Sequence, residues 1–116
     1  MGKLTTHVLD TAHGRPAGGI LITLYRGGSR GETLAQTRTN SDGRSDAPLL
    51  QGADLRAGVY DLVFAVGDYY RELGLTLPDP PFLDEVSLSF GVADPQQNYH
   101  VPLLMSPWSY STYRGS

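Results

Sequence analysis

The sequence predicts an all-β domain, a sandwich of short strands with one small helix. Three observations carry that expectation. About seven or eight short runs are rich in β-branched and aromatic residues or alternate in polarity, as sandwich strands do. Glycine, proline, asparagine and aspartate separate nearly every pair of runs. Only one stretch has helical character, and it spans roughly two turns.

Lys3 to Asp10 reads as a strand, with Leu4, Thr6, Val8 and Asp10 on one face and Lys3, Thr5, His7 and Leu9 on the other. Thr11 to Gly19 reads as a turn or loop, because Gly14, Pro16, Gly18 and Gly19 crowd it. Ile20 to Tyr25 is a second strand. The loop Gly27-Gly28-Ser29-Arg30-Gly31 has no following Lys-Ser/Thr pair and matches no phosphate-binding motif. Glu32 to Arg38 is a polar, edge-type strand. Asn40-Ser41-Asp42-Gly43-Arg44 holds an Asp-Gly turn signal, and Pro48-Leu49-Leu50 a very short strand or apolar patch.

Val59 to Val66, opened by Gly58, is the strongest strand pattern in the chain. Asp68 to Gly74 is the helical stretch, with Asp68 placed to cap it and Gly74 to release the chain. Pro78, Pro80 and Pro81 exclude a regular element before the next strand, Glu85 to Val92. After the loop Asp94 to Asn98, the chain ends in a segment starting at Tyr99 that needs cover for Val101, Leu103, Leu104 and Met105. Tyr110, Thr112 and Tyr113 suit an extended ribbon, so the tail is expected against the core or a partner.

The length of 116 residues suits one domain, 1–116, able to bury roughly two thirds of its unfolded surface. A net charge of −3 with scattered arginines leaves no basic stripe, which argues against nucleic acid as a partner. No apolar run approaches the ~18 residues that span a bilayer, and no signal-type segment follows Met1, so a cytoplasmic location is expected. The absence of cysteine removes disulfides, thiol nucleophiles and cysteine-ligated metals. No Gly-x-Ser-x-Gly elbow and no dinucleotide-binding pattern occurs either.

Few residues remain for chemistry. His7 and His100 lie inside strands, where an imidazole is either a satisfied structural group or a reactive one. Two imidazoles without a neighbouring carboxylate are an incomplete zinc set, so no metal is expected. His13 lies in a glycine- and proline-rich turn, where exposure is the default. Arg44, just after Asp42-Gly43, is either a surface arginine paired with a carboxylate such as Asp46 or a planar fork for carbonyl and ring-nitrogen acceptors. Tyr113-Arg114-Gly115-Ser116 offers a phenol, a guanidinium and a hydroxyl. Gly115 would have to bend the chain for Tyr113 and Ser116 to reach one ligand.

Four blocks then make a resemblance. Thr6-His7-Val8-Leu9-Asp10, Thr39-Asn40-Ser41-Asp42-Gly43-Arg44, Tyr99-His100-Val101-Pro102-Leu103-Leu104 and the terminal Tyr113-Arg114-Gly115-Ser116 are similar, in this order, to the 5-hydroxyisourate hydrolases, the transthyretin-related enzymes of urate breakdown. The likeness runs from about Leu4 to Ser116. It implies a transthyretin-like sandwich of two four-stranded sheets with one short helix, assembled as a homotetramer, a dimer of dimers, with active sites between dimers. It also implies cofactor-independent opening of a small purine-derived ring. His7, Arg44 and His100 are the implied catalytic residues, and Tyr113, Arg114, Gly115 and Ser116 join them in binding substrate. Ser109 and Trp108 depart from the common pattern just before the terminal block without removing a functional group. The alternatives are a transthyretin-like binding protein without turnover and a purely structural sandwich module.

Overall fold

The computed structural model describes residues 1–27 and 30–115. Gly28 and Ser29 of the expected glycine loop, and Ser116 of the terminal block, lie outside the described residues. In chain order the elements are β1 (Lys3–Thr5), β2 (Val8–Asp10), β3 (Arg15–Pro16), β4 (Leu21–Arg26), β5 (Thr33–Arg38), β6 (Leu50–Gln51), β7 (Gly58–Phe64), α1 (Val66–Glu72), β8 (Val86–Val92), β9 (Tyr99–His100), β10 (Leu103–Met105) and β11 (Tyr110–Thr112). A 3-10 turn, Gly52–Asp54, precedes β7.

One layer is a four-stranded antiparallel sheet ordered β5-β4-β7-β8. The other is built from two hydrogen-bonded groups, β6-β1-β9 and β11-β10-β2-β3. These groups form one interrupted sheet, since β1 runs on into β2 through Thr6-His7 and β9 into β10 through Val101-Pro102. The parallel pairing Thr5 to His100 resumes as Val8 to Leu103. Across the gap the Val101 N–H donates to the Thr5 carbonyl at 2.9 Å and the Leu103 N–H to the His7 carbonyl at 2.9 Å. Pro102, lacking an N–H, therefore costs no bond to this neighbour. The two-layer sandwich expected from sequence is present, with the second sheet broken in its middle.

Two details differ from the sequence reading. Arg15-Pro16, expected within a loop, forms the short edge strand β3 against β2, where a missing proline N–H is tolerated. The helix begins at Val66 rather than Asp68, after an Ala65 N-cap that makes no side-chain bond, and the strand expected to run to Val66 ends at Phe64. Burial decides this start: Val66, Tyr69 and Tyr70 share the face turned to the core, a helical spacing that pulls Val66 into the first turn. Asp68 then sits in that turn, favourably placed for the helix dipole. Gly74 releases the chain at φ +88, as expected.

Between the layers lie Leu4, Val8, Ile22, Leu24, Leu62, Phe64, Leu103 and Met105, all fully buried. Asp10, a fully buried carboxylate, ties β2 to α1. It accepts from the Tyr69 and Tyr70 hydroxyls at 2.8 Å each, from His13 Nδ1 at 2.7 Å and from the Ala12 and His13 backbone N–H groups. Burial alone would raise its pKa; the hydrogen bonds from Tyr70, Tyr69 and His13 outweigh that and hold it below the usual aspartate value. Burial and the same carboxylate push the Tyr69 phenol up to about 12. No helix among the described residues is long and apolar enough to cross a membrane.

Candidate active site

The break in the second sheet is where the polar side chains gather. Strand alternation buries Leu4, Thr6 and Val8 and leaves Thr5 and His7 half-buried on the outer face. The same rule on the neighbouring strand buries Tyr99 and Val101 and turns His100 outward beside Thr5. Arg44 arrives from the opposite edge as an isolated antiparallel bridge partner of His7, and antiparallel partners project to the same face. Three segments far apart in sequence thus bring His7, Arg44 and His100 together.

Arg44 is placed by the turn that precedes it. The Asn40 carbonyl accepts from the Gly43 N–H at 2.9 Å, and the Asn40 side-chain oxygen accepts from the Asp42 and Arg44 N–H groups at 2.9 and 3.2 Å. Gly43 has φ +77 and passes so close to β2 that a Cβ there would collide with the Val8 carbonyl oxygen. The Gly43 carbonyl in turn accepts from the Val8 N–H at 2.8 Å. The Asp-Gly signal is therefore a docking device as well as a turn. Asp46 accepts from the Asn40 amide at 3.1 Å, and Arg44 makes no ion pair with it. Arg44 is exposed, beside a recess of about 180 Å³ walled by Thr5, Thr6, Ser45, Asp46 and Pro48.

The two histidines are held in opposite ways. His7 Nε2 lies 2.8 Å from the Asp42 carbonyl oxygen; a carbonyl only accepts, so this nitrogen carries the proton. His100 is held at its other nitrogen, Nδ1, 2.9 Å from Thr5 Oγ1. Burial lowers the His100 pKa below the usual imidazole value, and the Arg44 guanidinium and His7 add to the shift. His100 is accordingly neutral at neutral pH and able to accept a proton.

The terminal block divides. Gly115 bridges to His100, its N–H donating to the His100 carbonyl at 2.7 Å. A Cβ on Gly115 would stand 2.9 Å from His100 Cδ2, so only glycine lets the strand lie flat against the imidazole. Arg114 turns away from the histidines. Its guanidinium stacks 4.2 Å from the Tyr99 ring centre and donates to Gln97 Oε1 at 3.0 Å and the Asn98 carbonyl at 3.1 Å. Tyr113 is exposed and borders an apolar cavity of about 390 Å³ at the open edge between β8 and β11, with Phe90, Tyr99 and Tyr110. That cavity is apart from the histidines. His13 also stands apart, bonded to Asp10 and stacked on Tyr70. Among the described residues no group of three or more His, Asp or Glu could hold a metal ion.

Thr5, Gln97 and Asn98 were not singled out by sequence reasoning, and Gly43 was read only as part of a turn signal. For Thr5 a signal existed, since alternation placed it on the His7 face. What was missing was the parallel register that sets it beside His100.

Comparisons with known proteins identify the family. The HIUase/Transthyretin family model matches residues 4–115. A 5-hydroxyisourate hydrolase of Pseudomonas aeruginosa is 63% identical over 117 residues, covering 100% of this chain and 93% of that protein. Among solved structures, (S)-allantoin synthase superposes with a TM-score of 0.93 at 44% identity, over 99% of this chain and 44% of that chain. The 5-hydroxyisourate hydrolase of Klebsiella pneumoniae superposes with a TM-score of 0.83 at 35% identity, over the full length of both. With a family match over nearly its whole length and a sandwich of the corresponding form, the chain belongs to the HIUase/Transthyretin family.

Proposed function

We propose that this chain, acting as one domain over residues 1–116, hydrolyses 5-hydroxyisourate to 2-oxo-4-hydroxy-4-carboxy-5-ureidoimidazoline, a cofactor-independent step of urate degradation. The observation that carries the proposal is the convergence of His7, Arg44 and His100 on one face at the break of the sheet. The chain's likeness to hydrolases of that name supports it.

The reaction needs a water to attack a ring carbonyl while a C–N bond breaks. A neutral imidazole takes the water's proton as the new C–O bond forms and returns it to the departing nitrogen. The pair His7 and His100 supplies that imidazole, and the lowered pKa of His100 keeps it in the basic form at neutral pH. Arg44 places a planar, permanently charged donor set over the flat substrate and stabilises charge developing on the carbonyl oxygen. Gly115 forms the side wall of His100.

The face that carries these groups is open in a single chain: Arg44 is exposed, and neither histidine is among the walls of the recess beside it. β8 and β11 are free sheet edges. These features support assembly as a homotetramer, a dimer of dimers, in which a second copy closes the site. A cytoplasmic location completes the proposal.

Ultraviolet decay of 5-hydroxyisourate, freshly generated from urate by urate oxidase, tests it against the spontaneous background. Acceleration by the wild-type chain and its loss in Arg44→Ala are expected. No acceleration from a folded tetramer would reject the hydrolase in favour of a binding protein, and a persistent monomer by mass measurement would reject the inter-subunit site.

A further inference from the structure

We propose that Thr5 is a positioning residue for the reaction: its hydroxyl holds His100 by Nδ1, so that Nε2 is the nitrogen that takes and returns the proton. The inference rests on the hydrolase reading and deepens it by separating the roles of the two histidines.

The imidazole of His100 is gripped on both edges. On the Nδ1 edge lies Thr5 Oγ1 at 2.9 Å, delivered by the parallel register that sets Thr5 directly opposite His100. On the Cδ2 edge lies the Gly115 backbone, close enough that a Cβ would press on Cδ2, Cβ and Cγ of the ring at 2.9, 3.1 and 3.3 Å. With both edges flanked, the tip that carries Nε2 is what the ring presents. His7 is arranged the other way round. Its Nε2 is spent on the Asp42 carbonyl at 2.8 Å, leaving only the nitrogen next to its own backbone. The tip nitrogen of His7 is a committed donor, and that of His100 is not.

The nature of each partner matters as much as its place. A carbonyl only accepts, so Asp42 locks the His7 proton on Nε2. A hydroxyl accepts or donates. For Nε2 of neutral His100 to be basic, Nδ1 must carry the proton and Thr5 Oγ1 must accept it. When Nε2 takes a proton from the attacking water, the resulting imidazolium keeps the same Nδ1–H to Oγ1 bond, so no group has to move. The Nε2 proton then passes to the departing ring nitrogen as the C–N bond breaks, and His100 returns to its starting tautomer. Thr5, half-buried at the surface, can turn its own hydroxyl proton to solvent throughout. Arg44 and His7 are the charged and titratable side chains that bear on His100 from the neighbouring loop and strand, and both disfavour the imidazolium. A hydrogen bond that favours it at Nδ1 offsets part of that effect in the transition state.

The test uses the full-length chain labelled with ¹⁵N, in which a two-bond ¹H–¹⁵N correlation spectrum reports which imidazole nitrogen of His100 is protonated. The wild type is expected to show the neutral Nδ1–H form. Thr5→Val, of nearly the same shape, is expected to lose that preference and to lower kcat/KM about tenfold, mainly through kcat, the weight of one hydrogen bond. Thr5→Ser is expected to restore both. A wild-type His100 protonated on Nε2 overturns the proposal, and so does Thr5→Val with an altered tautomer and unchanged turnover. Should Thr5→Val fail to fold, the wild-type spectrum and Thr5→Ser still decide. The tautomer measurement needs no substrate, so a chain that does not turn over 5-hydroxyisourate fails the hydrolase reading without erasing the result for Thr5.

Discussion

Gly115→Ala adds one methyl group and removes no functional group, which makes it a clean probe of how tightly the tail must fit. The backbone of Gly115 is not among those with positive φ, so alanine brings no conformational strain of its own. The effect is steric. The new Cβ would meet His100 Cδ2 at 2.9 Å, whereas carbon atoms settle at roughly 3.5–4.0 Å. The ring or the tail must therefore retreat by about 0.6–1 Å. The tail is braced behind by Arg114 on Tyr99, Gln97 and Asn98, so the imidazole is the softer partner. Thr5 Oγ1 stands 2.9 Å away on the opposite edge of the ring, so the imidazole cannot retreat straight back and must turn out of that hydrogen bond. Relief of overpacking at a surface strand costs about 1 kcal/mol or somewhat more, while displacement of a catalytic group by ~1 Å costs up to ~10²-fold in rate. The expected result is a loss of about 10- to 100-fold in kcat with KM less affected and a modest fall in Tm. Steady-state kinetics on freshly made 5-hydroxyisourate, with calorimetry on the same sample, reads both quantities. Wild-type kcat in a folded Gly115→Ala chain would refute the argument that this strand sets the position of His100.

Further predictions follow from the same contacts. The acidic limb of kcat/KM against pH should lie below the ordinary imidazole midpoint, because the His100 pKa is lowered by burial, Arg44 and His7. Arg44→Lys should keep the limb in place while lowering kcat/KM about tenfold or more, since the charge remains and the fork is lost; wild-type turnover would return Arg44 to a surface role. Asp10 has a folded-state pKa below its unfolded value, so its contribution to stability is present above the unfolded value of 3.8 and is lost as pH falls through the folded one. Asp10→Asn should therefore lower stability at neutral pH and flatten the acid arm of a Tm-against-pH curve; an unchanged curve would count against the Tyr69–Tyr70–Asp10 anchor. Arg114→Ala should raise the hydrogen-exchange rate of the Gly115 amide by releasing the tail, and an unchanged rate would show that Arg114 is no brace.

Much of this protein is readable in its sequence because the information is local. Alternation between Lys3 and Asp10 separates the core set Leu4, Thr6 and Val8 from the outward set Thr5 and His7, and the structure keeps that division. Asp-Gly at 42 and 43 makes a turn and Gly74 ends the helix. Each of these depends on residues within a few positions of one another, where steric limits and side-chain period act without help from the rest of the chain.

What required the tertiary structure depends on residues that meet only after the chain has doubled back. The parallel register of β1 with β9 decides that Thr5 faces His100, and a shift of one residue would have turned a different side chain there. The approach of the 40–44 turn to β2 decides that Gly43 must be glycine and that Asp42 offers its carbonyl to His7. The terminal block reads as one unit in the sequence, yet pleating sends Arg114 to Tyr99 and Gly115 to His100. The early start of α1 is another such case, since the burial of Val66 outweighed the capping preference of Asp68. Residue types set which chemistry was available to this chain. Register and pleat, which fix distances between segments nearly a hundred residues apart, decided which nitrogen, which carbonyl and which hydroxyl stand within reach of one another.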